Sequence, residues 1–337
     1  MKCMEKRRSW LLDIFRIILC IGVVVYHYRD YSPASGSFMV NGFMVMSGFL
    51  VGVMLLRTEQ LDVVKFYNGK IRRLLPMLLV AFLLGVFVVH GVRRMPPVWD
   101  GFAWGDFSVA KFMLQYNTPL WFMWVEFIML FMVPFFFYLS KSRWALPAFV
   151  AACTLLAVGL YMQVPYCAPF GQGLYYSPVA RCWQFGGGIL SALLWGRIQR
   201  RGVAESMSFK CITACLFIVF VGLGVAMMVL RQWKHFGCWN YTVDFDLLSV
   251  GFFAVLIPCI FCYRMAANHK AAVLLGHGAL LTYPIFLLHI PVQTIVSCCL
   301  GVDVYAPVCQ LYSVLGTIAA AELLLLADSY VQRSLAK

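Results

Sequence analysis

The first apolar stretch of the chain contains an arginine and a histidine at a spacing that suits chemistry on a helix. Arg16 and His27 are eleven residues apart, so at 100° per residue they share one helix face and lie about 16 Å apart along its axis. Asp13, three residues before Arg16, can offset the charge of the arginine. Because the unperturbed pKa of histidine is near neutrality, His27 is a candidate general base. The alternative is a structural Asp–Arg pair beside an interfacial histidine.

Other polar residues lie at a similar depth in further apolar stretches. An ionisable group inside a bilayer costs several kcal/mol, and it is usually kept for function or by pairing. If the stretches are membrane helices of alternating direction, these groups fall in the same half of the bilayer. We therefore predict one convergent set, although a single buried histidine is often only hydrogen-bonded to a neighbouring helix. The set consists of His27, Glu126, Arg181 and His289, with Asn41 and Ser47 in the second stretch.

The composition indicates which elements position these residues. Of 337 residues, 62% are hydrophobic and 12% are charged, about half the charged share of a soluble domain. Because about 20 apolar residues cross the hydrocarbon core as a helix, we predict an all-α polytopic bundle of ten spans. Residues 1–337 are expected to form a single membrane domain with no appended soluble domain. The predicted spans are 9–28, 38–56, 74–92, 120–140, 144–162, 179–198, 210–230, 246–263, 275–300 and 307–328.

Lys and Arg are distributed unevenly between the two alternating sets of loops. With the N-terminus inside, the inside segments hold 19 of the 27 Lys and Arg residues and the outside loops hold 6. This bias predicts that both termini are cytoplasmic. The net charge of +13 then indicates contact with anionic lipid head groups. We do not expect nucleic-acid binding, since no basic stretch is interleaved with aromatic residues.

Most of the thirteen cysteines lie inside apolar stretches, where cysteine behaves as a small hydrophobic residue. Cys259 and Cys262 have the spacing of a metal or redox pair, but no second pair accompanies them. Cys167 and Cys238 fall in predicted outside loops, and a disulfide between them is an open alternative. No metalloprotease histidine motif, Walker loop or dinucleotide fingerprint is present. We therefore expect no metal centre.

A basic segment precedes the third predicted span. Lys70, Arg72 and Arg73 lie in the connection 57–73, shortly before Pro76. Such a cluster is often ordinary positive-inside charge. It also fits a cytoplasmic anion site, such as one for the phosphates of a nucleotide-containing co-substrate.

Six segments of the chain, taken in order, resemble the acyltransferase type 3 family of integral membrane acyltransferases. The opening segment has an Asp, an Arg three residues later and a His eleven beyond that. The second has a Ser-Gly-Phe ending, the third a basic entry, and the fourth a Leu-Trp-Phe sequence followed by a Glu. The segments are LLDIFRIILCIGVVVYHY, FMVNGFMVMSGFLVG, FYNGKIRRLLPML, PLWFMWVEFIMLFMVP, ARCWQFGGGILSALLW and LLGHGALLTYPIFLLHIPV. The family often has arginines three apart before its third span, and here the first of those positions is Lys70.

The resemblance implies an acyl-coenzyme A donor, most simply acetyl-CoA, which approaches from the cytoplasm. Its phosphates would be held by Lys70, Arg72 and Arg73, and its acyl arm would pass Arg16. Lys70 can pair with phosphate, but without the bidentate fork of arginine.

The resemblance also implies roles for the intramembrane residues. His27 would be the general base on an acceptor hydroxyl, and a covalent route in which it takes the acyl group stays open. Glu126 or His289 would orient it, and Ser47 or Arg181 would stabilise charge on the carbonyl oxygen. The acceptor-binding residues would be Arg181, Asn41 and Trp121.

The expected acceptor is a carbohydrate or lipid-linked glycan outside the cytoplasm, and the expected location is a bacterial cytoplasmic (inner) membrane. The rival interpretation is a transporter or exporter of a lipid-linked glycan or small anion, because intramembrane His, Glu and Arg also suit a proton or substrate path. We detect no internal symmetry of the kind common in transporters. A structural or assembly subunit is a third reading, which the number of intramembrane ionisable groups disfavours.

Overall fold

The computed structural model is mainly helical in the residues that it describes, which are 9–28, 36–95, 115–163, 175–200, 243–262 and 269–335, with isolated positions 215, 218, 219 and 222. No strand occurs in these residues, and the predicted all-α class is confirmed. The helices are α1 (Trp10–Tyr28), α2 (Gly36–Leu55), α3 (Val63–Val86, continued by a π-helical turn at Phe87–Val92), α4 (Leu120–Phe131), α5 (Val133–Lys141), α6 (Ala145–Gln163), α7 (Pro178–Arg200), α8 (Val243–Cys262), α9 (His269–Leu300) and α10 (Pro307–Leu335).

Six helices of the described chain are long and apolar enough to cross a membrane, and α4 with α5 makes a seventh if that bent pair is one span. Helix α7 matches the predicted span 179–198 without meeting this test, and the apolar part of α8 is shorter, Asp246–Phe261. The predicted span 210–230, except for the four isolated helical positions, and both Cys167 and Cys238 lie outside the described residues. The chain is therefore an integral membrane protein, while the total of ten spans and the cytoplasmic termini stay predictions.

Helix α2 forms the centre of the bundle. In the most apolar stretch of α2, 78% of the residues are buried, compared with 17% in the most apolar stretch of α6. Helix α2 packs against α1, α7 and α8. Glycines allow α2 and α7 to touch: a methyl group at Gly48 would overlap the carbonyl of Phe185, and one at Gly188 would overlap the carbonyl of Val45. Small residues at such contacts let backbones approach closely, which is how helices associate in lipid. This contact fixes the level of the polar residues on α2 relative to α7.

Helix α3 begins well before its apolar part. The side chain of Asp62 caps its first turn by accepting from the backbone N–H of Lys65 at 2.9 Å. The basic segment is therefore helical and continuous with the membrane-crossing part. As a result, the positions of its cations follow the helical period of 3.6 residues.

Four prolines lie inside the described helices, and each leaves a backbone carbonyl without its usual partner, because proline has no N–H to donate to the residue four positions earlier. Three of them, all but Pro284, share a further feature. In each case a side chain from elsewhere in the chain donates to that carbonyl. The proline, the carbonyl and the donor are Pro76, Arg72 and Gln332; Pro258, Ala254 and Ser191; and Pro291, Leu287 and Asn117. These bonds satisfy backbone groups that lipid could not, and each ties two distant parts of the chain together.

Helices α4 and α5 meet at a bend of 45° at Met132. Pro134 lies in the first turn of α5 and cannot donate to the carbonyl of Leu130, which accounts for the break. The predicted span 120–140 is therefore two helices. Both halves contribute buried residues to the core, and Glu126 lies on α4 before the bend.

Candidate active site

The two intramembrane histidines meet at the centre of the site. His27 lies in the last turn of α1 and His289 in the second half of α9. Their ring centroids are 5.3 Å apart, with the ring planes at 43°. His27 is half-buried and His289 is fully buried, so His27 is the member that a substrate can reach.

Hydrogen bonds fix the tautomer of His289. Its Nδ1 lies 2.9 Å from the carbonyl oxygen of Phe286 and 3.3 Å from that of Ile285. A carbonyl only accepts, so Nδ1 carries the proton and Nε2 keeps its lone pair. Nε2 is buried and has no hydrogen-bond partner in the described structure. The arrangement therefore presents a buried basic nitrogen beside His27.

Helix α1 also holds the backbone of His289. The Tyr28 hydroxyl donates to the His289 carbonyl at 3.0 Å. The hydroxyl of Thr317 on α10 lies 3.0 Å from the same Tyr28 oxygen and is then the donor to it. Residues of α1, α9 and α10 thus fix the position of the histidine pair along the helix axes.

A cavity of about 380 Å³ lies one turn of α9 from this pair; Phe286 lines it, whereas the two histidines do not, and its wall is mostly apolar with a few polar side chains. Ser47 on α2 and Glu126 on α4 are in contact in its wall, where the Ser47 hydroxyl donates to Oε1 of Glu126. The second carboxylate oxygen, Oε2, is buried and has no partner among the described residues. Tyr283 on α9 also lines the cavity, and its hydroxyl donates to the carbonyl of Leu74 at 3.0 Å.

Cations line the cavity as well. Arg16, Lys70 and Arg73 all contribute to its wall, together with Asp328 of α10. Arg72, which was predicted to act with them, is exposed and is not part of this wall. Lys70 and Arg73 are three residues apart and share a face of α3, whereas Arg72 points about 100° away from Arg73. The structure therefore brings together two of the three predicted phosphate-binding cations with Arg16, the residue predicted to lie along the path of the acyl arm.

Arg181 belongs to a different polar cluster. Its fully buried guanidinium donates from Nη1 to Asn41 Oδ1 at 2.9 Å and from Nε to the Tyr175 carbonyl at 3.0 Å. Nη1 also lies 3.6 Å from Oδ2 of Asp246, which accepts at Oδ1 from the Asn41 amide at 2.7 Å. The guanidinium carbon is 5.8 Å from the centroid of the Trp121 ring. These bonds link α2, α7 and α8, and removal of one partner would leave a charge buried without compensation.

The predicted convergent set is thus divided. His27 and His289 contact each other, Glu126 lines the cavity, and Arg181 lies in the cluster with Asn41 and Trp121. Sequence reasoning missed the carboxylate partner of Arg181, although an acidic residue near the start of the eighth predicted span was visible as its natural partner. It also missed the cavity residues on α9 and α10, since no hydropathy pattern shows which helices enclose a cavity.

No group of three or more His, Cys, Asp or Glu side chains in the described ranges could hold a metal ion. The ligand that the cavity suits is anionic at one end, where the cations lie, and able to donate a hydrogen bond to Glu126 further in.

Comparison with known sequences places the chain in a family. The pattern of a family described as an acyltransferase domain matches residues 10–321, which run from α1 into α10. The chain belongs to the acyltransferase type 3 family. The resemblance noted from the six segments is therefore confirmed, and all the cavity residues except Leu325 and Asp328 lie within the matched range.

Two relatives of this family member illustrate the range of similarity. The O-acetyltransferase OatA of Staphylococcus aureus is 22% identical over 317 residues, covering 85% of this chain and 51% of its own length. The protein named "Putative peptidoglycan O-acetyltransferase YrhL" of Bacillus subtilis is 26% identical over 327 residues, covering 84% of this chain and 49% of its own length. The chain spans about half the length of these relatives. No solved structure matches it.

Proposed function

We propose that this acyltransferase moves an acetyl group from cytoplasmic acetyl-CoA to a hydroxyl of an envelope carbohydrate or lipid-linked glycan. The observation that carries the proposal is the contact between His27 and His289, one helical turn of α9 beyond a cavity lined by three cations. Family membership favours an enzyme over the transporter alternative. The names of the relatives support acetyl as the group and peptidoglycan as one candidate acceptor.

The donor fits the cavity from its cationic end. Phosphates of coenzyme A would pair with Arg73 and Lys70, the first as a fork and the second as a point charge. The pantetheine arm carries amide N–H groups, and the unpartnered Oε2 of Glu126 is placed to accept from one of them. Because the hydrogen of Ser47 is already given to Glu126, Ser47 orients the carboxylate in this proposal.

The histidine pair supplies the base. His27, the more accessible ring, accepts the proton of the acceptor hydroxyl while the hydroxyl oxygen attacks the thioester carbonyl. The C–S bond breaks, the acyl group stays on the acceptor as an ester, and the proton passes to the departing thiolate. His289 acts as a positioning residue, since its lone pair at Nε2 can accept a hydrogen bond from a ring N–H of His27.

The donor would enter from the cytoplasm and the acceptor from the other side of a bacterial cytoplasmic (inner) membrane. Support for this sidedness comes from the distribution of Lys and Arg. Arg73 and Lys70 then lie on the cytoplasmic side, and His27, eleven residues beyond Arg16 on α1, lies toward the outer face. Transfer across the membrane would follow from this separation of donor and acceptor sites.

The test uses membranes that contain wild type, His27→Ala, His289→Ala or His277→Ala at matched abundance. Each is incubated with ¹³C-acetyl-CoA, and ester-linked acetyl in the envelope carbohydrate is measured by mass spectrometry. His277 is a matched control on α9, because it is exposed and pairs with Glu322 outside the cavity. We expect loss of transfer by about 10²- to 10⁴-fold in His27→Ala and normal transfer in His277→Ala.

Three results would contradict the proposal in different ways. Unchanged transfer in His27→Ala would remove His27 as the base and keep the enzyme. Labelled acyl-protein that disappears in His27→Ala would support the covalent route instead of direct transfer. No label from wild type, together with a glycan retained inside cells that lack the protein, would favour the exporter.

A further inference from the structure

A layer of phenylalanines covers one end of the cavity. On each of three helices, a polar residue of the cavity wall has a phenylalanine one helical turn away. The pairs are Ser47 with Phe43 on α2, Glu126 with Phe122 on α4, and Tyr283 with Phe286 on α9. Since the polar residues share one cavity and all three phenylalanines also line it, the rings form a second level of the same site.

The three rings are in mutual contact. The centroid distances are 6.0 Å for Phe43 and Phe122, 5.4 Å for Phe122 and Phe286, and 6.2 Å for Phe43 and Phe286. Each distance is within the range of packed aromatic pairs. A group longer than a few atoms therefore cannot pass this level without displacing a ring.

The layer lies between the cavity and the histidine pair. On α9, Tyr283, Phe286 and His289 follow one another at three-residue intervals, each a rise of about 4.5 Å. The Phe286 ring lies 6.1 Å from the His289 ring, and His289 contacts His27. An acyl thioester that enters past the cations must meet the phenylalanine layer just before its carbonyl reaches the base.

We infer that Phe43, Phe122 and Phe286 limit the length of the acyl group, so that a two-carbon acyl group is transferred and longer ones are rejected. This inference rests on the proposed function, since it takes an acyl thioester to be the donor. The acyl end of the donor enters the phenylalanine layer first. Every added methylene must therefore fit among rings that are already in contact with one another. In a packed pocket an extra methylene changes the rate ratio of two substrates by about 10- to 200-fold.

The experiment is a competition between donors in membranes. Equal amounts of ¹³C-acetyl-CoA and butyryl-CoA are supplied together, and both esters on the endogenous envelope carbohydrate are measured by mass spectrometry. Wild type is expected to prefer acetyl by at least about 100-fold, and Phe286→Ala or Phe43→Ala to lower that preference at least tenfold.

Phe38→Ala is the matched control for a lost ring. Phe38 lies on α2 like Phe43 and is buried in another aromatic cluster, with centroids 4.7 Å from Phe253 and 5.7 Å from Phe252. It does not line the cavity. Its removal should leave the acetyl preference unchanged, even if it lowers the amount of folded protein.

The outcomes distinguish a failure of the proposed length limit from a failure of the proposed function. If wild type transfers acetyl and Phe286→Ala keeps its full preference, the length limit is wrong and the proposed function stands. An equal loss of preference in Phe38→Ala would also overturn the limit, because loosened packing alone would explain it. If wild type transfers neither group, the proposed function itself fails. Should Phe286→Ala not accumulate in membranes, Phe286→Leu takes its place, with a smaller loss of preference expected.

Discussion

Replacing Arg73 by glutamine should weaken the binding of acetyl-CoA, whereas the same change at Arg72 should not. The two residues are adjacent and carry the same charge, yet only Arg73 lines the cavity. A helix turns 100° per residue, which directs Arg72 away from the wall. The pair therefore separates the effect of a specific contact from the effect of net charge.

The size of the effect follows from the type of contact. A hydrogen bond to a charged group contributes about 1.5–3 kcal/mol, and every 1.4 kcal/mol is a factor of ten. Arg73→Gln should therefore raise the KM for acetyl-CoA by about 10- to 140-fold. The value of kcat should change little, since the phosphates are bound equally in the ground state and the transition state. Both arginines are exposed, but Arg72 does not line the cavity, so for Arg72→Gln we expect less than about a fivefold change.

The assay measures initial rates of ¹³C-acetyl transfer in membranes over a range of acetyl-CoA concentrations, at fixed ionic strength. Equal increases in KM for both variants would show that the basic segment acts only through its overall positive potential. No increase for Arg73→Gln would remove the cavity as the phosphate site. Either result would refute the reasoning from the helical face.

Three further predictions concern stability, measured as the temperature at which the detergent-solubilised protein loses its size-exclusion peak. Asp246→Asn should lower the free energy of unfolding by about 3–5 kcal/mol, because the charge of Arg181 stays buried without its carboxylate partner. A fall in melting temperature no larger than that caused by breaking an exposed ion pair would contradict this prediction. Gly48→Val should abolish the folded peak, since its side chain would overlap backbone of the neighbouring helix, whereas Gly69→Val, which faces open space, should leave the peak in place. Asn117→Leu should cost about 1–3 kcal/mol, since the carbonyl that it caps on α9 loses its donor; an unchanged melting temperature would mean that this carbonyl finds another donor.

The helices themselves were largely predictable from the sequence. Hydropathy located both ends of α1, α2 and α6, and the C-terminal end of α9, to within a few residues. At these ends the apolar stretch and the helix nearly coincide. Hydropathy placed the start of α3 eleven residues too late, since the capped basic turn before residue 74 is helical but not apolar. The break between α4 and α5 was readable in principle from Pro134, which removes an intrahelical donor.

The candidate site was predictable only in part. The meeting of His27 and His289 was expected from their common depth, and this reasoning worked because depth restricts one of three dimensions. It failed to separate Arg181 from the histidines, since depth does not say which helices are neighbours. The different positions of Arg72 and Arg73 would have followed from the helical period, had the basic segment been recognised as part of α3.

The capped carbonyls bear on the order in which the protein can be assembled. Chains are synthesised from the N-terminus, so the donors Ser191 and Asn117 are already made when the carbonyls of Ala254 and Leu287 appear. For the carbonyl of Arg72 the order of synthesis is reversed, because its donor Gln332 is made 260 residues later. Until Gln332 has been made, the Arg72 carbonyl of α3 therefore has no side-chain donor. It lies close to the lipid head groups, where water can donate a hydrogen bond to it. Docking of α10 would then supply this side-chain donor and bring Asp328 into the wall of the cavity at the same time.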